Sequence, residues 1–157
     1  MRIECVGGGP AGLYFALLMK SREPGHDITV FERCREDSTY GLGVSLGDDV
    51  LESLRDNDRE SAAEIERAGF RWHTQVVCFG GRPAPHDGSD VYNISRQHLV
   101  DILADRARRL GVDIQYGREV LSPAEFPDAD LIVAADGASS RIRHLSLIHI
   151  SEPTRPY

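Results

Sequence analysis

The chain opens on an apolar-rich run, MRIECV, which predicts a short buried strand ending directly in three glycines. Beyond them Leu13, Tyr14, Leu17 and Leu18 recur at three- and four-residue steps, and Lys20, Arg22 and Glu23 gather at the far end. That spacing predicts a helix over PAGLYFALLMKSRE, stopped by Pro24-Gly25. Ile28-Thr29-Val30-Phe31 is β-branched and aromatic, is bounded by Glu32-Arg33, and predicts a second buried strand. Strand, helix and strand together need about 32 residues.

The following stretch, Tyr40 to Ser45, is flanked by glycine and reads as a loop, with charged helical segments around Asp48 to Arg55 and Glu60 to Arg67 behind it. FRWHTQVVCF, residues 70–79, changes to strand-forming residues, and Gly80-Gly81 supplies a turn. A small antiparallel ribbon is expected there, with Asp90 to Ile94 as a partner. Phe70, Trp72 and Phe79 are expected in the core of that sheet rather than on a substrate face. Ser95 stands as an N-cap before RQHLVDILADRARRLG, whose Leu99, Ile102, Leu103, Ala107 and Leu110 form one apolar stripe closed by Gly111. Val112 to Tyr116 alternates as a strand, and Leu131 to Ala135 is a continuous apolar run of the kind buried in a parallel sheet. No internal repeat appears.

Composition narrows the possibilities without choosing among enzymes. A chain of 157 residues with 41% hydrophobic and 27% charged residues is an ordinary globular chain, one domain by default. Asp plus Glu number 25 against 18 Lys plus Arg, a net charge of −7, and no basic run exceeds Arg108-Arg109, which argues against nucleic acid as a partner. The apolar runs fall far short of the ~20 residues a membrane span needs, and Met1-Arg2-Ile3 enters a strand rather than a secretory signal. A cytoplasmic location is the expectation. Cys5, Cys34 and Cys78 match neither a disulfide framework nor zinc-ligand spacing and are read as free, partly buried thiols. The histidines show no pair at metal-ligand spacing, and no Ser/His/Asp or Cys/His constellation is present, so no metal and no catalytic side chain is assigned.

Chemistry concentrates at two places. Gly7-Gly8-Gly9-Pro10-Ala11-Gly12 contains G-x-G-x-x-G between a strand and a helix, where a dinucleotide needs it. Gly7 permits the tight turn, Gly9 leaves room for a pyrophosphate, and Gly12 lets the helix pack closely on the strand. The phosphates would rest on the helix N-terminus, whose free N–H groups and dipole favour anions. Glu32 lies 20 residues after Gly12, at a strand end, where a carboxylate can accept hydrogen bonds from a ribose hydroxyl. A carboxylate there repels a 2′-phosphate, so FAD or NAD is expected rather than NADP. The second place is Ala135-Asp136-Gly137-Ala138-Ser139-Ser140-Arg141-Ile142-Arg143, an Asp-Gly turn after a strand with Ser140 and Arg143 at set spacing. A simple turn is the plain alternative for Asp136.

This D-G-x-x-S-x-x-R arrangement, with the glycine loop, resembles the flavoprotein aromatic hydroxylases, single-component FAD monooxygenases, over Met1 to Arg143. The glycine loop, FER and YGLGVSLGDDVLESL are most similar to the hydroxylases of aryl-CoA thioesters such as salicylyl-CoA and 2-aminobenzoyl-CoA. The resemblance implies an α/β fold, a Rossmann-like FAD-binding domain with a parallel sheet interrupted by a small antiparallel β-ribbon. It implies FAD, NAD(P)H as electron donor, molecular oxygen, and an aromatic small-molecule substrate. By position, Gly7, Gly9, Pro10, Ala11 and Gly12 would cradle the FAD pyrophosphate, Glu32 with Arg33 beside it would bind the adenosine ribose, and the Val120 backbone would face the adenine. Arg96 would approach the cofactor, Asp136 and Gly137 would contact it, and the Gly41 to Ser45 loop, with Gly43 and Val44, would lie by the flavin ring. Leu42 departs from the bulky aromatic expected there. An FAD-dependent dehydrogenase or reductase, or an inactive nucleotide-binding fragment, remains open as an alternative.

Residues 145–157, LSLIHISEPTRPY, follow no pattern set by the preceding chain. They match, in one frame, the translation of a transposase sequencing adapter. We therefore expect residues 1–144 to be part of an FAD-binding domain cut short at its carboxyl end, and residues 145–157 to be foreign to it. Such truncation is expected to leave apolar faces and a sheet edge exposed, with poor solubility and weak FAD binding.

Overall fold

The computed structural model describes residues 1–38 and 41–147. The chain divides into two compact units, one of Met1–Glu36 together with the chain from Ala107 onward, the other of Asp37–Arg106. Of the proposed adapter residues, 145–147 are described and 148–157 lie outside the described part.

In the first unit, β1 (Arg2–Val6), β2 (Asp27–Glu32), β6 (Asp113–Tyr116) and β7 (Leu131–Ala134) form a parallel sheet in the order β6-β2-β1-β7. Parallel pairing of β1 with β2, Cys5 opposite Val30, requires a crossover, and α1 (Pro10–Arg22) provides it. Pro10 at the first helical turn loses no hydrogen bond, and the Glu23 N–H closes the far end on Met19 O at 3.0 Å. Ile3, Cys5, Leu13, Leu17, Ile28 and Val30 are buried, each large aliphatic side chain contributing about 1.5–3 kcal/mol. Val6, Phe31, Val120, Phe126 and Ile142 form a further buried cluster. A short turn of 3-10 helix, Pro123–Glu125, is capped by Ser122 and Glu125 reciprocally.

The run from Leu131 is not buried as its composition predicts. β7 is an edge strand bonded to β1, Leu131 is 37% exposed, and Ile132 and Val133 are half-buried. Glu4 departs in the other direction: it lies in the central strand at 2% exposure, with Oε1 accepting from Arg2 Nε at 2.7 Å.

In the second unit, β3 (Gly43–Gly47), β5 (Arg82–Ser95) and β4 (Phe70–Phe79) make an antiparallel sheet in the order β3-β5-β4. The expected ribbon is therefore a three-stranded sheet, and the expected loop at Gly43 and Val44 is its third strand, with Val44 opposite Ile94. A Cβ at Gly43 would approach Ile94 O to 3.1 Å, so glycine here serves close strand contact. Thr39 and Tyr40, the start of that loop, lie outside the described residues. α2 (Asp48–Asn57) and α3 (Arg59–Ala68) follow the predicted charged segments. Phe70, Trp72 and Phe79 are exposed, Phe79 to 87%, which corrects their assignment to the core. They sit on an edge strand, where Phe70 and Trp72 pack edge-to-face on each other at 5.0 Å.

α4 (Arg96–Leu110) begins in the second unit, and its last residues belong to the first. Ser95 Oγ accepts the His98 N–H at 3.1 Å, the predicted cap, and Gly111 at φ 93° ends the helix. α5 (Arg141–Leu147) is the last described element.

Candidate functional site

Gly7 and Gly12 of the first motif are required by close backbone approach, whereas Gly9 is not. Gly7 adopts φ 113°, its N–H donates to Phe31 O at 2.8 Å, and a Cβ would lie 2.3 Å from Ala135 O. At Gly12 a Cβ would meet Gly7 O at 2.0 Å and Cys5 Sγ at 3.2 Å, so helix and strand touch there through backbone. At Gly9 a Cβ would meet nothing within 4 Å, so this position borders open space. Gly9 is also the N-cap of α1, with no side-chain cap and no acidic residue in the first turn. The positive helix end is therefore left for a ligand. Pro10 and Ala11 complete that turn.

Glu32, at the end of β2, is held from two sides. Its Oε2 accepts the Gly8 N–H at 2.8 Å and its Oε1 the Cys34 N–H at 2.8 Å, leaving each oxygen a further lone pair. A Cβ at Gly8 would come within 2.7 Å of Glu32 Cβ. Gly8 was missed by the motif, in which its position is free; three consecutive glycines where two are required are the signal. Arg33 is exposed next to Glu32, and Val120 is a buried side chain after β6.

The second motif is a self-capping turn beside the glycine loop. Asp136 Oδ2 accepts the Arg141 N–H at 2.9 Å, Gly137 takes φ 88°, Ser140 Oγ accepts the Arg143 N–H at 2.9 Å, and Arg143 donates to Ala138 O at 2.7 Å. The spacing of Asp, Gly, Ser and Arg thus follows from capping. Asp136 Oδ1 is buried and has no partner among the described residues, so the turn alone does not account for it.

Gly43, Val44 and Arg96 belong to the second unit. The Arg96 N–H donates to Leu42 O at 3.3 Å, which ties the strand entry to the start of α4, and the Leu42 side chain is 96% exposed. A separate cluster in this unit joins Arg71, His73 and Asp90. Hydrogen bonds from Arg71 and then His73, the latter at 2.6 Å, hold the Asp90 carboxyl below its ordinary value. Among the described residues no group of His, Cys, Asp and Glu is arranged to hold a metal ion.

Residues 2–127 match the family model described as FAD binding domain. The chain belongs to this FAD-binding family. It is 38% identical over 145 residues to a salicyloyl-CoA 5-hydroxylase of a Streptomyces species, covering 92% of this chain and 28% of that protein. It is 37% identical over 143 residues to a 3-hydroxy-4-methyl-anthranilyl-(aryl-carrier protein) 5-monooxygenase of Streptosporangium sibiricum, covering 91% of this chain and 40% of that protein. Among solved structures, the tetrameric form of 2-methyl-3-hydroxypyridine-5-carboxylic acid oxygenase superposes with a TM-score of 0.79 at 29% identity, over 91% of this chain and 41% of that one. The chain thus spans well under half the length of these relatives. FAD is the cofactor of the family, and the glycine loop suits it: open space at Gly9, an uncapped helix end, and an unpartnered buried oxygen at Asp136. No described helix is long and apolar enough to cross a membrane.

Proposed function

We propose that this chain is the nucleotide-binding part of a cytoplasmic, NAD(P)H-dependent flavoprotein monooxygenase that hydroxylates an aromatic ring carried as a thioester on coenzyme A or a carrier protein. The observation that carries the cofactor site is the loop from Gly7 to Gly12, opening onto the bare N-terminus of α1 and flanked by the backbone-held Glu32. The substrate class is drawn from the two bacterial relatives, both named for aromatic acyl groups on such carriers. Gly7, Gly9, Pro10, Ala11 and Gly12 would bind the pyrophosphate through backbone N–H groups and the helix dipole. Glu32 and Arg33 would take the adenosine ribose, and the Val120 backbone the adenine. Asp136 would use its second oxygen, and Gly137 its backbone, toward the cofactor directly or through water. Gly43, Val44 and Arg96 would serve the flavin end. Bound FAD would supply the redox chemistry, by which NAD(P)H, a proton and O2 would yield NAD(P)+, the hydroxylated ring and one water. The chain's part is to bind, orient and keep solvent away.

Residues 145–157 are, in the same reading, translated adapter DNA, and resequencing the source with adapters trimmed will replace them by a different continuation. Purification of the product of the recovered gene, with a visible spectrum and oxygen uptake in the presence of aryl-CoA thioesters, tests the function. A yellow protein that consumes oxygen and releases hydroxylated aryl-CoA is expected. A yellow protein that oxidises NAD(P)H without hydroxylating any aryl thioester overturns the activity, and a colourless folded one overturns the cofactor site.

A further inference from the structure

Beyond β6 the chain does not leave the nucleotide edge of the sheet at once. The Gly117 N–H donates to Cys34 O at 3.0 Å and the Arg118 N–H to Glu32 O at 3.0 Å, so residues 117 and 118 extend the pairing of β6 alongside residues 32 to 34. Gly117, at φ 72°, permits the turn. The Arg118 guanidinium then lies over the Phe31 ring, 4.4 Å from its centroid, and 5.7 Å from that of Phe126. The two rings are themselves stacked at 4.8 Å. Arg118 Nη1 donates to Gln115 Oε1 at 3.1 Å, and Glu125 Oε2 stands 4.0 Å from Nη2. This side chain is therefore clamped at its plane and its edge, although it remains partly exposed.

We infer that Arg118 is a positioning residue for the adenosine half of the cofactor: by stacking on Phe31 and Phe126 it locks the segment from Gly117 to Val120 against the end of β2, and so sets both Glu32 and the Val120 backbone. The inference rests on the reading that Glu32 and Val120 hold adenosine. Two walls of that site come from different stretches of chain, residues 31–34 and 117–120, and backbone hydrogen bonds at 32 and 34 join them. Those bonds lie at a strand end, where fraying is easy. A cation held over an aromatic pair is attracted to the ring faces, which biases such an end toward its closed form. A lysine keeps the charge but not the planar stack, so the geometry is specific to arginine.

Titration of the chain with ADP and with FAD, before and after Arg118→Ala, tests this. Both affinities are expected to fall by the same factor, roughly fivefold, with the melting temperature nearly unchanged, because the loss lies in the adenosine half and the side chain is on the surface. Gln115→Ala, which removes one hold on the guanidinium, is expected to shift both in the same direction by a smaller factor. Unchanged ADP affinity in Arg118→Ala, or a loss with FAD much larger than with ADP, overturns the inference. Glu32→Gln separates it from the underlying reading: if Glu32→Gln weakens ADP and Arg118→Ala does not, only the role of Arg118 fails. If Glu32→Gln leaves ADP affinity unchanged, the adenosine site is elsewhere and both fail.

Discussion

A single methyl group at Gly12 would sit 2.0 Å from the carbonyl oxygen of Gly7, closer than any relaxation of side chains can relieve. Gly12→Val is therefore expected to destabilise the chain by about 3 kcal/mol or more, read from urea unfolding, and to abolish FAD binding with it. The cysteines make a second residue-scale test. Burial pushes the Cys5 thiol up to about 12, and its Sγ lies 3.7 Å from Gly12 O. Burial first, and then the Glu32 carboxylate, also raise the half-buried Cys34, whereas Cys78 is exposed. Alkylation near pH 7.5, followed by peptide mass spectrometry, should label Cys78 first, Cys34 more slowly, and Cys5 only on unfolding. Early labelling of Cys5 would contradict the packing of α1 on β1.

At the scale of elements, the junction of α3 and α4 is held by two acids at the start of α3, Asp58 and Glu60, both on Arg106. Asp58 caps α3, accepting from Ser61 N at 3.3 Å and Ser61 Oγ at 2.5 Å, and it takes two hydrogen bonds from Arg106 of α4, at 3.0 and 3.2 Å. Burial by itself would raise the Asp58 carboxyl, but the bonds from Arg106 and Ser61 outweigh it and leave it below its ordinary value. A carboxyl lowered in the folded state stabilises above its unfolded value, about 3.9, and that contribution is lost as pH falls through the folded value. Asp58→Ala should cost about 1–3 kcal/mol at neutral pH, through the lost cap and the lost charge-assisted hydrogen bonds to a guanidinium that keeps its ion pair with Glu60 at 2.6 Å. Chemical denaturation at pH 7 and pH 3 checks both: the difference between wild type and Asp58→Ala should shrink at the lower pH. An equal difference at both would assign the effect to packing instead of charge.

For the whole molecule, FAD binds only the folded form, so saturation at 100 times Kd should add about 2.7 kcal/mol of stability. For a chain of this size that is roughly a 5–10 °C rise in melting temperature, measurable by calorimetry. An unchanged melting temperature with FAD in excess would mean that the described elements do not form the site unaided. Local periodicity and motif spacing by themselves determined the strand–helix–strand start, the long helix with its Ser95 cap, the charged pair of helices, and the dinucleotide motif with its three glycines. These are legible because a helix face, a cap or a tight turn is settled by residues within a few positions of one another. What the sequence left undecided depends on partners far along the chain. Val44 became part of a strand because Ile94 lies opposite it, and Leu131 was left exposed because β7 is at the sheet edge. Phe70 and Trp72 turned outward on another edge, Glu4 was drawn inside a central strand, and Glu32 acquired the N–H of Gly8, 24 residues earlier. An apolar run is equally consistent with a buried or an edge strand until its neighbours are known, and only the tertiary structure supplies them.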